Sequence, residues 1–300
     1  MFKFVERAKY FAIVPLVIVI LGAIFLGIGG GFVQDIDFAG GMTMYVEMGK
    51  EVDFGEVTDV VKGADDRISN PKVLSSDGTV IIIQTPPIDN DPDREVRQKI
   101  IDALKEKYQL DETAILQVED VTATMGAELR GQALKAALIA CVLMLLYITI
   151  RFEFFTGASA VICLLHDVLI MLAFYSIFRV PINANFIAAV LTIIGYSINN
   201  TIVVFDRIRE NQKNKSDLKS LVDLSLKQTL RRSAFTTATT LIPVILLYIL
   251  GVDSIKDFAL PLIVGLLAGT FSSVLLAGPI WFAMKNAAKN RKLNKKTKRA

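Results

Sequence analysis

Gly195-Tyr196-Ser197-Ile198-Asn199-Asn200-Thr201-Ile202-Val203-Val204-Phe205, followed at once by Asp206-Arg207-Ile208-Arg209-Glu210-Asn211, is the stretch on which the reading of this chain turns. It completes a run from Ile187 that is apolar enough to cross a bilayer, yet Tyr196, Ser197, Asn199, Asn200 and Thr201 crowd its inner half. Polar side chains in hydrocarbon cost free energy unless neighbouring helices partner them. Five in one span predict a helix that faces a bundle interior or an ion path.

Outward from that stretch, the chain is too apolar for a soluble protein of 300 residues, with 53% apolar residues and a mean hydropathy of +0.49. A bilayer core of about 30 Å takes about 20 apolar helical residues. Six segments come close: Tyr10 to Ile28, Ala136 to Ile150, Gly157 to Phe178, Asn185 to Phe205, Phe235 to Leu250 and Phe258 to Met284. The second is short, but Lys135 at its rim can snorkel and Ala133 to Lys135 extend it. The first follows Lys3, Arg7 and Lys9 in the manner of a signal peptide, but no small-x-small cleavage site precedes Gly29-Gly30-Gly31, so it reads as an uncleaved anchor.

The division of charge orients these spans. Lys and Arg gather before span one, between Asp206 and Arg232, and from Lys285 to Arg299, which places both termini in the cytoplasm. Residues 32–130 hold 21 Asp and Glu against 10 Lys and Arg, a net −11, so the remainder carries +14 of the total +3. An acidic soluble domain outside and a basic rim inside suit anionic inner-leaflet lipid. The basic tail is expected to be a solvated topology determinant rather than a nucleic-acid contact. Cys141 and Cys163 both lie in spans, where they read as small core hydrophobes, and no disulfide framework is available outside.

The outer region alternates in pattern. A strand is expected over 41–48, a helix over 54–68 and a short extended piece at 71–74; Ser75-Ser76-Asp77-Gly78 then reads as a turn into a β-branched strand over 79–85. An acidic helix start at Asp91 and Asp93 leads to about Tyr108, and 114–121 is the last strand. The order is βαββαβ, a split βαβ sandwich with helices on one face. It contains no His and no nucleophile paired with a base, so it is assigned binding or mechanical work rather than catalysis. Asp37-Phe38-Ala39-Gly40-Gly41, between the first span and the first strand, reads on spacing alone as a tight turn.

Taken together, the Asp37-Phe38-x-Gly40-Gly41 element, Val121-Thr122-Ala123-Thr124-Met125-Gly126-Ala127-Glu128-Leu129 before span two, His166-Asp167 in span three and the run from Gly195 to Asn211 resemble SecF. That family is the smaller membrane subunit of the SecD/SecF complex, which assists the Sec translocon in protein export. The resemblance covers nearly the whole chain in order and topology. It implies a membrane all-α bundle of six transmembrane helices with an extracytoplasmic α+β ferredoxin-like domain, one half of an RND-type transporter. The expected domains are 1–31 (cytoplasmic N-terminus and first helix), 32–130 (outer domain), 131–284 (five-helix bundle) and 285–300 (basic cytoplasmic tail). It further implies a SecD-like six-span partner, the translocon channel and an unfolded exported polypeptide as partners, a plasma-membrane location, no cofactor, and coupling to a proton or sodium gradient.

The family's coupling residues carry over only in part. The position commonly held by Asp is Asn200 here, and an amide cannot titrate. The Arg that the family places at the start of span five corresponds to Arg232, with Arg231 as the alternative and a lipid-facing topology role as the plainer reading. Asp167 is the one acidic residue deep in a span, and the sole histidine, His166, precedes it. The two point roughly 100° apart on a helix and need not face one partner. Three readings stay open: the partner subunit supplies the essential carboxylate, Asp167 substitutes, or sodium replaces the proton and is held by the oxygens of Ser197, Asn199, Asn200 and Thr201. A fixed hydrogen-bonded role for Asp167 between spans three and four competes with all of these. Gly265-x-x-x-Gly269-x-x-x-Ser273, Pro243, Pro261 and Pro279 read as packing elements. A small-molecule or lipid exporter of the same layout is the alternative function, disfavoured by the small outer domain. A membrane protease is disfavoured by the lack of a second deep Asp, an HExxH helix or a Ser-His pair.

Overall fold

Hydrocarbon leaves a spanning backbone no hydrogen-bond partners but its own, so apolar runs of this length fold as helices. The computed structural model, which describes residues 4–77, 79–88, 95–151, 153–212 and 217–297, shows six helical passages long and apolar enough to cross a membrane. They are α1 (Phe4–Ile28), α5 (Ala123–Arg151), α6 (Phe154–Phe178), α7 (Ala184–Asn211), α8 (Leu218–Leu250) and a composite sixth. That last one comprises α9 (Asp253–Phe271), a π-helical turn (Ser272–Leu276) and α10 (Ala277–Thr297). Pro279 has no N–H for the Leu275 carbonyl, which explains why the hydrogen-bond ladder shifts register just before it.

Two passages differ from expectation. The short second span begins at Ala123 as a 29-residue helix, because Thr122 Oγ1 accepts from Met125 N (3.2 Å) and residues 123–135 are mostly good helix formers. The sixth is continuous in sequence but interrupted by the π turn, which turns Ser272 toward α6.

Between α1 and α5 come α2 (Ile36–Ala39), β1 (Gly41–Glu47), α3 (Phe54–Ala64), β2 (Lys72–Asp77), β3 (Val80–Thr85), α4 (Glu95–Tyr108), a 3-10 turn (Glu112–Ala114) and β4 (Ile115–Val121). The sheet order is β2-β3-β1-β4 with every neighbour antiparallel, the split βαβ arrangement. Met42, Met44 and Val46 alternate along β1 onto the face where α3 and α4 bury Val57, Val61, Ile100 and Leu104. Helix α3 stops at Ala64 rather than at residue 68, because the Asp65 carboxylate takes the Arg67 amide (3.0 Å) in a competing turn. Ser75 to Asp77 belong to β2 rather than to a turn, and Gly78, Asp91 and Asp93 lie outside the described residues.

One end of the bundle gathers the start of α1, the end of α7 and the start of α8. Val5 N donates to Asp223 Oδ1 (2.9 Å), Lys219 pairs with Glu6 (2.5 Å), and Lys285 of α10 pairs with Glu153 (3.2 Å). At the other end Arg179 Nη1 donates to Gly31 O (2.7 Å), and the four-stranded sheet domain meets the α8–α9 turn, where Ser75 N donates to Asp253 Oδ2 (2.9 Å).

Candidate ion-coupling site

Helix α7 packs most closely on α9, because Gly265 and Gly269 let the two backbones approach. A Cβ at Gly265 would lie 2.4 Å from Ile193 Cγ1, and one at Gly269 would lie 3.1 Å from Ser197 Cβ. The close crossing brings Asp167 of α6, Ser197 of α7 and Ser272 of the π turn to one point. Asp167 is 1% exposed; its Oδ2 accepts from Ser197 Oγ (2.5 Å) and Ser272 Oγ (3.0 Å), and its Oδ1 lies 2.8 Å from His166 Nδ1. Adjacent positions on α6 thus meet through side-chain bending, although their helical phases diverge. The His166 ring stacks on Phe271 (6.1 Å between centroids), and its Nε2 is buried without a hydrogen-bond partner among the described residues.

A second chain of hydroxyls runs alongside. Tyr196 OH donates to Thr237 Oγ1 (3.2 Å), which lies 2.7 Å from Thr270 Oγ1, linking α7, α8 and α9. Asn211 Nδ2 donates to Ser225 Oγ and Gln228 Oε1, both at 2.9 Å, so α7 and α8 run antiparallel, and one turn on from the Tyr196–Thr237 bond Ser233 comes near the level of Asn200. Both residues are buried, and Asn200 Nδ2 and Ser233 Oγ have no partner among the described residues. Thr201 is buried on the same side of α7.

The expected site residues therefore divide. His166, Asp167 and Ser197 come together; Asn200 and Thr201 are buried one turn away; Asn199 is exposed on the opposite side of α7, and Arg232 is exposed on α8. The four oxygens offered for sodium do not converge, since Ser197 is engaged by Asp167 and Asn199 points away from the others. Ser272 is the member that the sequence reading missed; its only signal was a hydroxyl pair, Ser272-Ser273, inside an apolar run.

A family model for the protein export membrane protein SecD/SecF, C-terminal region, matches residues 99–287. The chain belongs to the SecD/SecF family. It is 35% identical to the protein translocase subunit SecF of Petrotoga mobilis over 98% of both chains. It is 37% identical to the protein translocase subunit SecDF of Bacillus subtilis, covering 94% of this chain and 38% of that one. The crystal structure of SecDF from Thermus thermophilus, a translocon-associated membrane protein, superposes with a TM-score of 0.77 at 32% identity, over 95% of this chain and 39% of that one. The chain thus spans less than half of each SecDF protein, whereas it matches the SecF relative end to end.

The SecF-like motifs at the sheet-domain end of the bundle touch one another. Gly40 (φ 85°) and Gly41 (φ 143°) take the backbone from α2 into β1, and a Cβ at Gly126 of α5 would lie 2.7 Å from Phe38 O. Phe38 is buried there, and Asp37 Oδ2 accepts from Ala184 N (3.1 Å) at the start of α7, where a carboxylate suits the exposed amides of a helix N-terminus. At the other end of α7, Arg207 pairs with Glu210 (2.8 Å), Arg209 approaches Asp206 (3.8 Å), and Asn211 ties the helix to α8. A Cβ at Gly195 would meet nothing within 4 Å among the described residues, so no packing among them requires its smallness.

Proposed function

We propose that this chain is the SecF-type half of a SecD/SecF assembly that draws on a proton or sodium gradient to promote export of secretory polypeptides through the Sec channel. The observation that carries this reading is a buried carboxylate, Asp167, whose partners come from α6, α7 and the π turn at once. A change in its protonation alters hydrogen bonds on three elements together. Helix α9, directly before the π turn, reaches the outer domain through Asp253. One charge crossing 100 mV releases about 2.3 kcal/mol, so a few charges suffice to bias a domain movement.

A SecD-like partner is supported by the SecDF relatives, in which a region like this one forms part of a longer chain. It is also supported by the exposed side of α7, where Thr192, Gly195 and Asn199 recur at helical spacing beside exposed Thr236 and Thr239 of α8. Such a stripe meets lipid unless a second protein covers it. The basic end of the bundle faces the cytoplasm and the acidic domain the outside, by the distribution of Lys and Arg. Arg232, fourteen residues into α8 and just before its apolar run from Phe235, is exposed and can snorkel toward anionic headgroups.

The test is gradient-driven export of a secretory reporter in vesicles holding the complete complex. Asp167→Asn is expected to remove the gradient-dependent part while leaving the complex assembled. Export that stays undiminished and fully dependent on the gradient overturns the role of Asp167. Asn200→Asp, which restores a carboxylate one turn away, is expected to change the ion preference.

A further inference from the structure

Helices α1 and α6 run side by side and part toward the basic end of the bundle. Away from that end they touch. A Cβ at Gly22 would lie 2.5 Å from Ala173 Cβ, and Ser176 Oγ donates to Gly22 O (2.8 Å). At the basic end each is tied to a different neighbour. Val5 N and Glu6 of α1 are held by Asp223 and Lys219 of α8. Glu153, just before α6, is held by Lys285 of α10, and Ser159 Oγ of α6 lies 3.8 Å from Met284 Sδ. Two helices joined at one end and drawn apart at the other leave a wedge between them.

That wedge is a groove of about 560 Å³ with almost wholly apolar walls, backed by Leu276 of the π turn and by Pro279 and Ala283 of α10. Along α1 it runs from Ala8 and Lys9 to Val19, and along α6 from Ile162 to Leu169. Ala8, Ala12 and Ala283 keep it open, since longer side chains would fill it. Such walls offer water no partners, so the filling a bilayer supplies is hydrocarbon. The length of the groove selects its form. From Lys9 to Val19 a helix rises about 15 Å, half of the roughly 30 Å core, so the groove is one leaflet deep. A partner's spanning helix would need a groove along the full bilayer, and the contact of Gly22 with Ala173 closes this one. The open end carries charge. Lys9 is exposed and has no ion-pair partner among the described residues, and the neighbouring acid, Glu6, is engaged by Lys219.

We propose that this groove binds one acyl chain of an anionic phospholipid from the leaflet at the basic end, with the phosphate of its headgroup on Lys9. The deep part of the chain lies against His166, which forms part of the wall and whose Nδ1 faces Asp167. An occupied groove therefore keeps water from that pair on the side turned toward lipid. The site stands on the geometry of α1, α6 and α10 in a bilayer, whichever ion the bundle couples.

The test places a tryptophan on the complete complex in vesicles and reads its fluorescence as the difference from the same complex without it. Leu165→Trp lies at the groove, and Leu143→Trp lies on an exposed side of α5. Phospholipids with brominated acyl chains quench a tryptophan that they touch. Brominated phosphatidylglycerol is expected to half-quench Leu165→Trp at a mole fraction about fivefold lower than brominated phosphatidylcholine, the factor that corresponds to about 1 kcal/mol for one Lys at a lipid surface. No such preference is expected at Leu143→Trp. Lys9→Gln should abolish the preference and Lys9→Arg should keep it, whereas Ala12→Phe should weaken quenching of Leu165→Trp by both lipids. Equal quenching by the two lipids at both positions, or a preference that survives Lys9→Gln, overturns the headgroup site. Quenching that Ala12→Phe leaves undiminished removes the chain from the groove. A groove tryptophan that neither lipid quenches, while Leu143→Trp is quenched, reveals a protein neighbour there and overturns the proposal outright.

Discussion

Asp65 in the sheet domain and Asp167 in the bundle are both carboxylates tucked among several donors, and the kind of donor separates them. Asp65 is gripped by the Arg67 guanidinium (2.9 and 3.0 Å) and the Lys99 ammonium (3.0 Å). The Arg67 side chain foremost, then the Arg67 amide and Lys99, hold it well below the usual carboxylate range. Asp167 is met instead by two hydroxyls and an imidazole. Full positive charges favour the anion alone, whereas a hydroxyl can donate to a carboxylate or turn and accept from a carboxylic acid. The first arrangement fixes a turn; the second allows a change of state with partners kept.

Removing the hydroxyls sharpens that contrast most. Ser197→Ala combined with Ser272→Ala leaves Asp167 with His166 alone, at about 1–3 kcal/mol for each buried hydrogen bond lost. Gradient-driven export in reconstituted vesicles should fall by about a hundredfold, since each 1.4 kcal/mol is a factor of ten. Asp65→Asn in the same assay should change nothing.

Next in size is the core of the sheet domain. Met44 is fully buried under α3 and α4, and Met44→Ala should cost about 2–5 kcal/mol. Hydrogen exchange on the full chain would show this as faster exchange in β1, β3 and α4, with α6 and α7 unaffected. Equal loss of protection in both regions would mean that domain and bundle unfold as one unit.

Gly265→Val tests the close crossing that brings Ser197 to Asp167. The added Cβ lands 2.4 Å from Ile193 Cγ1, and overpacking of this kind costs about 1–3 kcal/mol. A lower midpoint of thermal unfolding in detergent, together with weakened gradient dependence, is expected. Gly195→Ala, which meets nothing among the described residues, should leave the midpoint unchanged.

The smallest effect belongs to Asp65 itself. Its folded pKa lies well below the unfolded value, so its contribution is full above the ordinary carboxylate range and is lost progressively as pH falls from that range toward the depressed folded pKa. Acid unfolding of the sheet domain, followed by its exchange protection, should lose a little of its pH dependence in Asp65→Asn, and the neutral-pH stability should drop slightly. A larger neutral-pH stability in the variant would reverse the sign of this assignment.

Much of this was legible in the residues because bilayers demand composition. Long apolar runs, the alternation along β1 and the β-branched run of β3 suffice to place spans and strands. Helix ends obey local chemistry that hydropathy does not weigh, which is why the polar first turns of α5 escaped notice while Thr122 started them. Asp167, His166 and Ser197 stood out as polar residues in apolar runs. Ser272 did not, for it is 105 positions from Asp167 and reaches it only through a π turn that no periodicity announces. Asn199 and Asn200 were both offered as ion ligands, and the phase of α7 exposes the first and buries the second.

The most direct measurement is difference infrared spectroscopy of the complete complex, following carboxyl C=O absorption as pH is stepped on one side of the membrane. The account predicts a protonated-carboxyl band that appears and vanishes with pH, is absent in Asp167→Asn, and shifts in frequency in Ser272→Ala as a donor is lost. A band that persists unchanged in Asp167→Asn, or no carboxyl that exchanges at any pH supporting export, would contradict it.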